Sequence, residues 1–255
     1  MSTVLAHDLA LALDPARFAE QALGRPLDPW QQQAVRSTAP RQIILACRQS
    51  GKSTVTALKA LYVAIHEPGS LVLITAAAQR QSQELFAKVL ASYRAIGRPI
   101  APDAESRLML ELENGSRVLA LPGRTDTTLR GYSAPRLIIA DEAARVPDEV
   151  VTSLRPMMAT NPRSQLVLLS TPWGRRGLFH EVWTEGEAGW ERIGPIRGSD
   201  CPRIPRDFLE HERASLPPWV YASEWDCQFT DNELAAFDSA LIAAALDPDV
   251  RPLWE

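Results

Sequence analysis

Residues 42–54, QIILACRQSGKST, carry the strongest indication of the fold in this sequence. Its first part, Gln42 to Ala46, is a short apolar run of the kind that is buried in a parallel sheet. The eight residues from Ala46 to Ser53 match the pattern G-x-x-x-x-G-K-[ST], except that alanine replaces the first glycine. Alanine fits at a strand end that keeps φ negative. The stretch therefore predicts a buried strand, a tight turn and a helix.

The turn in this stretch has the composition of a phosphate-binding loop. The backbone N–H groups of such a turn converge on phosphate oxygens, and the positive end of the next helix adds to the attraction. Gly51 lets the backbone approach the phosphates, Lys52 reaches the β- and γ-phosphates, and Ser53 coordinates Mg²⁺. A chance Gly-Lys-Ser at a strand–helix junction is the alternative. The nucleotide-binding prediction also includes Gln49, Ser50 and Thr54.

The segments around this loop alternate between buried strands and helices, which predicts an α/β fold with a mainly parallel central sheet. Further strands are predicted at residues 71–75, 137–140 and 166–170. Helices are predicted at residues 52–65, 79–95 and 147–158. Asp-Pro pairs, each read as an N-cap followed by proline, open two helices that end near Gly24 and Thr38. Weaker helical signals follow at residues 206–216, 219–225 and 239–246.

One pair of strands is predicted to be antiparallel. Residues 108–113 and 116–121 are apolar stretches on either side of Asn114-Gly115. Asn-Gly supplies the two positive φ angles of a type I′ turn, so we predict a hairpin with that turn.

The stretch LIIADE, residues 137–142, is a predicted buried strand that ends in two carboxylates. Ligands sit beyond the carboxyl ends of strands in open α/β sheets. Asp141 is suited to hold Mg²⁺, and Glu142 is placed to orient and deprotonate an attacking water. A pair of acids ahead of Pro147 could instead cap a helix. A glutamate directly after the Mg²⁺ aspartate favours the additional-strand, catalytic-glutamate class of P-loop ATPases, which includes helicases and packaging motors.

The composition of the chain limits its possible size of core, its relation to membranes and its binding surfaces. The chain has 255 residues, of which 45% are hydrophobic, enough for one large core with or without a small subdomain. No apolar run reaches the length of a membrane span. The net charge is -4, yet residues 117–176 hold nine arginines and five acids. Four of these arginines could either contact phosphates or lie on the solvated surface: Arg155, Arg163, Arg175 and Arg176.

Four features together resemble the ATPase domain of tailed-phage large terminases. LDPWQ at residues 27–31 resembles the adenine-binding segment of that family, and the phosphate loop with Arg48 and Gln49 resembles its variant Walker A motif. The stretch from Pro122 through TLRGY at residues 128–132, leading to the Asp-Glu pair, is similar to its arginine-bearing approach to Walker B. LSTPWG at residues 169–174 is similar to its coupling motif.

The resemblance implies roles for residues within the subunit. Gln31 would offer a donor and an acceptor to the adenine edge, and Trp30 would pack nearby or simply belong to the core. Arg48 would lie beside the γ-phosphate. Ser170 and Thr171 would sense the γ-phosphate and relay hydrolysis to a DNA-gripping surface.

The resemblance also implies an arginine finger that reaches the ATP of the neighbouring subunit. Arg130 is the favoured candidate, and Arg124 is the alternative. Such a finger implies a homo-oligomeric ring, with a pentamer expected. The implied cofactors are ATP and Mg²⁺. The implied partners are double-stranded DNA, the portal protein and the small terminase subunit, in the host cytoplasm at the portal vertex of the procapsid.

The predicted domains are a P-loop ATPase core at residues 1–200 and a lid or linker subdomain at residues 201–255. A nuclease domain is expected to be absent, because no acidic cluster remains to be assigned. Two other functions stay open at this stage. One is a helicase-like, nucleic-acid-dependent ATPase, and the other is a non-enzymatic module that docks on packaging proteins.

Overall fold

A sheet of eight strands organises the described part of the chain, in the order β3-β4-β5-β2-β6-β7-β1-β8. The computed structural model describes residues 2–122 and 131–230. The strands are β1 (Arg41–Ala46), β2 (Leu71–Ala76), β3 (Pro102–Glu105), β4 (Met109–Leu112), β5 (Arg117–Pro122), β6 (Leu137–Asp141), β7 (Gln165–Ser170) and β8 (Trp190–Ile196). Every pair from β5 to β8 along this order is parallel, whereas β4 runs antiparallel to β3 and to β5. The predicted α/β class is confirmed.

One strand lies between the two strands that carry the predicted site. β7 pairs with β1 on one side, where Ile44 faces Leu169, and with β6 on the other, where Ile139 faces Val167. The phosphate loop and the acidic pair are therefore separated by one additional strand. This arrangement is the one that the glutamate after Asp141 indicated.

Helices cover the sheet, and the helix at residues 15–23 begins at a side-chain cap. Asp14 accepts a hydrogen bond from the Ala16 N–H at 2.9 Å, and Pro15 starts the helix, as predicted. Gly24 ends it with a left-handed φ of 66°. The helices are α1 (Ser2–Leu13), α2 (Pro15–Leu23), α3 (Pro29–Arg36), α4 (Lys52–His66), α5 (Gln79–Ala95), α6 (Asp148–Leu154), α7 (Gly177–Glu185), α8 (Arg206–Ser215) and α9 (Pro218–Glu224).

The predicted hairpin is present, but its predicted turn type is wrong. Asn114 does not adopt a positive φ, whereas Gly115 does, at 79°. The Gly115 N–H donates to the Leu112 carbonyl at 2.8 Å, and the Leu112 N–H donates to the Ser116 carbonyl at 2.9 Å. The loop thus has three residues, with glycine in the left-handed position. Asn114 instead uses its amide to donate to the Ala64 carbonyl at 2.9 Å, which ties the turn to α4.

The two outer strands do not follow from the sequence pattern. β8 has only Ile193 and Ile196 buried, and it contains Gly194 and Pro195, which weaken a strand signal. β3 is a short polar stretch. Such edge strands form because a neighbouring strand has unpaired backbone N–H and C=O groups. No local sequence pattern reveals this pairing.

The segment after β8 packs on the same core as the sheet. A short 3₁₀ turn at Gly198–Asp200 precedes α8 and α9. The Gly198 N–H donates to the Trp225 carbonyl at 2.7 Å, and Leu209 and Trp225 belong to the same buried cluster as the strands. A separate subdomain from residue 201 stays a prediction, and the predicted helix at 239–246 lies outside the described residues. Among the helices of the described ranges, none is both long and apolar enough to cross a membrane.

A buried amine, on Lys59 of α4, lies away from the predicted site. The side chain is 3% exposed, and its Nζ donates to the carbonyls of Ser37 at 2.8 Å and Ala34 at 3.1 Å. Burial lowers the pKa of Lys59 from 10.5 to about 7. These carbonyl contacts hold the end of α3 against α4.

Replacing Lys59 by methionine is expected to remove a pH dependence of stability. Between about pH 7 and 10.5 the unfolded chain binds a proton at Lys59 that the folded chain lacks, so the stability of the wild type rises with pH. The wild-type free energy of unfolding, minus that of Lys59→Met, should rise by up to about 1.4 kcal/mol per pH unit in this window. Urea unfolding of both proteins from pH 7 to 9.5 measures this difference. A difference that stays flat or falls would contradict the expectation.

Candidate active site

The predicted site residues meet at the carboxyl edge of three neighbouring strands. The phosphate loop follows β1, the acidic pair lies at the end of β6, and Thr171 follows β7. Because β1, β7 and β6 are parallel and adjacent, their carboxyl ends share one edge of the sheet. The fold therefore brings together residues that are about ninety positions apart in the chain.

The phosphate loop uses two left-handed residues to turn from β1 into α4. Gln49 has a φ of 57° and Gly51 a φ of 92°. The Ser50 hydroxyl donates to the Cys47 carbonyl at 2.9 Å and closes the turn from inside. An added Cβ on Gly51 would lie 2.8 Å from Nε2 of Gln31, so a side chain here would displace Gln31, and the positive φ would strain it further.

The lysine and serine of the loop each contact one carboxylate of the acidic pair. Nζ of Lys52 lies 3.3 Å from Oε1 of Glu142. The Ser53 hydroxyl donates to Oδ2 of Asp141 at 3.1 Å. Lys52 and Asp141 are buried, at 7% and 6% exposure. A buried lysine held against a carboxylate is charge-compensated.

Asp141 has the electrostatic character of a metal ligand. Burial, together with the charge of Glu142, raises the pKa of Asp141 to about 6, whereas Lys52 and the Ser53 hydroxyl act in the opposite direction. A divalent cation would stabilise the ionised form. The Ser53 hydroxyl and the Asp141 carboxylate are the oxygen ligands that Mg²⁺ prefers, and Mg²⁺ takes few protein ligands beside substrate phosphates and water. The donor set therefore fits Mg²⁺. Residues 2–122 and 131–230 contain no cluster of three or more His, Cys, Asp or Glu side chains that could hold a metal.

Glu142 occupies an unusual backbone conformation. Its φ and ψ are 49° and 44°, a left-handed geometry that costs about 1–3 kcal/mol for a residue other than glycine. Its N–H donates to Oδ1 of Asp141 at 3.0 Å. The hydroxyls of Ser170 and Thr171 lie 3.4 Å and 3.5 Å from its Oε2. The backbone reversal thus directs the carboxylate between the phosphate loop and the end of β7.

An open cavity of about 380 Å³ lies in front of the loop. Arg48 borders it, exposed, with its Nε 3.5 Å from Oε2 of Glu224 on α9. The Arg48 N–H also donates to the Glu224 carbonyl, at 3.1 Å. Its predicted contact with a γ-phosphate stays a prediction. The other lining residues are Arg25, Gln49, Gly51, Lys52, Ser53, Thr54, Lys88, Glu142 and Arg203.

Of the two residues predicted to contact the base, neither is among the described residues that line this cavity, and both are buried. Gln31 is 1% exposed, and its Nε2 donates to the Ser50 carbonyl at 3.2 Å. Its Oε1 accepts from the Asp28 N–H at 3.1 Å. Trp30 belongs to the buried core, at 9% exposure. Gln31 therefore braces the loop in this structure, and its contact with adenine stays a prediction.

Four residues at the site were not predicted from the sequence: Arg25, Lys88 and Arg203, which line the cavity, and Glu224, which contacts Arg48. Arg203 and Glu224 come from the region after β8, where the sequence signal is weak. No local pattern marks either residue, since each arrives through the packing of the region after β8. The candidate fingers Arg124 and Arg130 lie outside the described residues.

Within the described part of the chain, partners are found for three of the four arginines considered for phosphate contacts. Arg155 pairs with Glu187 at 2.9 Å, and Arg163 with Glu67 at 3.5 Å. Nε of Arg175 donates to the Phe229 carbonyl at 3.1 Å. A role in DNA binding stays untested for all four, including Arg176.

Comparisons with known proteins agree with this architecture. The family model described as "Terminase large subunit, T4likevirus-type, N-terminal" matches residues 43–243. The large terminase subunit of Thermus phage G20c is 30% identical over 209 residues, which cover 74% of this chain and 42% of that protein. The chain thus spans less than half the length of this curated relative.

Solved structures show the same fold at lower identity. The large terminase ATPase domain of Thermus phage P74-26 superposes with a TM-score of 0.71 at 23% identity, covering 83% of this chain and 97% of that one. The large terminase of bacteriophage HK97 gives a TM-score of 0.68 at 15% identity, over 86% and 55% of the two chains. Because the family model runs from β1 through both halves of the site, this chain belongs to the terminase large subunit family.

Proposed function

We propose that this chain binds and hydrolyses ATP with Mg²⁺, and that hydrolysis drives double-stranded viral DNA into a procapsid. The observation that carries the proposal is the meeting of Lys52 and Ser53 with Asp141 and Glu142 at one edge of the sheet. Family membership supports a packaging motor over a helicase-like ATPase. The intact set of four residues argues against a purely structural docking module.

The side chains divide the chemistry among them. The loop amides and Lys52 would hold the phosphates, and Ser53 and Asp141 would hold Mg²⁺. The ion, when bound, would offset negative charge on the transferred phosphoryl group. Glu142 would accept a proton from the attacking water.

The contact between Lys52 and Glu142 suggests how binding prepares the base. When Lys52 binds phosphate, it gives up part of its attraction to the Glu142 carboxylate. That carboxylate keeps the hydroxyls of Ser170 and Thr171 as neighbours. These two residues would therefore report the state of the site to the end of β7, which is the coupling role proposed for them.

The remaining proposed roles require parts beyond the described residues. Arg130, or alternatively Arg124, would reach the ATP of a neighbouring subunit, so activity would require a ring, which we propose to be a pentamer. Portal protein and small terminase subunit are the proposed partners, at the portal vertex in the host cytoplasm. Contacts with DNA would be to its backbone, because a translocating motor must accept every sequence.

Replacing Lys52 by methionine tests the nucleotide site. The variant loses charge-assisted hydrogen bonds to phosphate, each worth about 1.5–3 kcal/mol, so the Kd for ATP should rise about ten- to hundred-fold or more. Binding of a fluorescent ATP analogue in magnesium buffer measures the change. Lys88→Met is the matched control, because Lys88 borders the same cavity but is exposed. If both variants bound the analogue as tightly as the wild type, the proposed site would be wrong.

A further inference from the structure

An arginine that follows the last strand joins two segments in front of the cavity. Arg203 lies between the 3₁₀ turn at Gly198–Asp200 and α8. Its Nη1 donates to Oδ1 of Asp28 at 2.8 Å, and its Nη2 donates to Oδ2 at 2.6 Å. The same Nη2 donates to the Ser50 carbonyl at 3.0 Å. One guanidinium therefore connects the start of α3 to the phosphate loop.

Gln31 tightens the same junction. The Ser50 carbonyl accepts hydrogen bonds from both Arg203 and Gln31. An added Cβ on Gly51 would lie 2.8 Å from Nε2 of Gln31 and 3.9 Å from Nη2 of Arg203. The Gln31 side chain thus packs directly on the loop backbone at Gly51.

The charges of the pair are compensated and partly shielded from solvent. The Asp28 side chain is 13% exposed and that of Arg203 is 32% exposed. The hydrogen bonds from Arg203 hold the pKa of Asp28 below its usual value. A two-point contact between guanidinium and carboxylate fixes the relative orientation of both segments, which a lysine cannot do.

We propose that Arg203 is a positioning residue for ATP, which sets the separation between residues 27–31, the segment predicted to contact the base, and the phosphate loop. The inference rests on the proposed nucleotide site. A nucleotide contacts both surfaces at once, so its affinity depends on their being held at a fixed separation before it binds. Loss of the Arg203 contacts should affect discrimination between bases most, because the phosphates would still be bound by Lys52 and the loop amides.

Calorimetric titration of ATP and of GTP, both in magnesium buffer, tests this role in Arg203→Gln. The Kd for ATP should rise about ten-fold, and the preference for ATP over GTP should fall. Arg203→Lys should give an intermediate result, because it keeps the charge but not the two-point contact. Asp28→Asn should reproduce the loss with the arginine still present, and it replaces Arg203→Gln if that variant does not fold.

The matched control is Arg36→Gln. Arg36 makes the same two-point contact with Asp14, at 2.9 Å and 2.8 Å, but at the far end of α3. This variant should retain the wild-type affinity and the wild-type preference for ATP. Wild-type affinity in Arg203→Gln, or an equal loss for ATP and GTP, would overturn the positioning role. A wild-type chain that bound neither nucleotide would instead contradict the proposed function.

Discussion

Replacing Glu142 by glutamine is expected to lower kcat for ATP hydrolysis by about 10²–10⁴-fold, the usual contribution of a positioned general base. The amide keeps the shape of the side chain but cannot accept the proton of the attacking water. The affinity for ATP should be retained, because Lys52, Ser53 and Asp141 remain. Single-turnover hydrolysis together with equilibrium binding of ATP separates the two effects.

The control for this variant is Glu149→Gln, which removes an exposed carboxylate in the first turn of α6. Its turnover should match that of the wild type. Rapid hydrolysis by Glu142→Gln would show that another group takes the proton, and the assignment of Glu142 would then fail.

Replacing Arg130 by alanine is expected to lower ATP turnover in the assembled ring by about 10³–10⁵-fold, the range measured for arginine fingers. The guanidinium would act on the ATP of the next subunit, so the loss should appear only on assembly. Steady-state hydrolysis as a function of protein concentration measures this, since wild-type turnover per subunit should rise as subunits associate.

Mixing two inactive variants distinguishes a finger that acts between subunits from one that acts within a subunit. A subunit with Arg130→Ala keeps Glu142, and a subunit with Glu142→Gln keeps Arg130, so mixed rings contain some complete sites. Part of the wild-type activity should therefore return on mixing. If only mixtures with Arg124→Ala recovered activity, Arg124 would be the finger. No recovery in either mixture would argue against an arginine acting between subunits.

The central strands and the phosphate loop can be predicted because their signals are local. Residues 42–46, 71–75, 137–140 and 166–170 are apolar runs bounded by turn residues, and each lies within a strand of the sheet. The sequence does not specify the order of strands directly. The glutamate after Asp141 nevertheless indicated the additional strand, because that chemistry accompanies one class of P-loop fold.

The errors and omissions arise where tertiary contacts decide the local structure. The turn at Asn114 and Gly115 is a three-residue loop. The backbone of Asn114 is not left-handed, and its side-chain amide binds the end of α4. β8 forms at an edge, although its sequence includes Gly194 and Pro195. Both features depend on partners far along the chain.

The same division applies to the site. Lys52, Ser53, Asp141 and Glu142 can be found from motifs, because phosphate and Mg²⁺ demand those groups at strand ends. Arg203 cannot, because its role depends on Asp28, which lies 175 positions earlier in the chain. The positive φ of Glu142 is likewise visible only in the folded chain.

Calorimetric titration of ATP into the wild-type chain, with Mg²⁺ and with EDTA, shows whether the chain holds a magnesium-dependent nucleotide site. If Lys52, Ser53, Asp141 and Glu142 form one site for a magnesium-bound nucleotide, ATP should bind saturably, at about one molecule per chain. Binding should weaken when EDTA removes the metal and when Asp141 is replaced by alanine. Absence of binding in magnesium buffer, or binding that neither change affects, would rule out a magnesium-nucleotide site formed by these four residues.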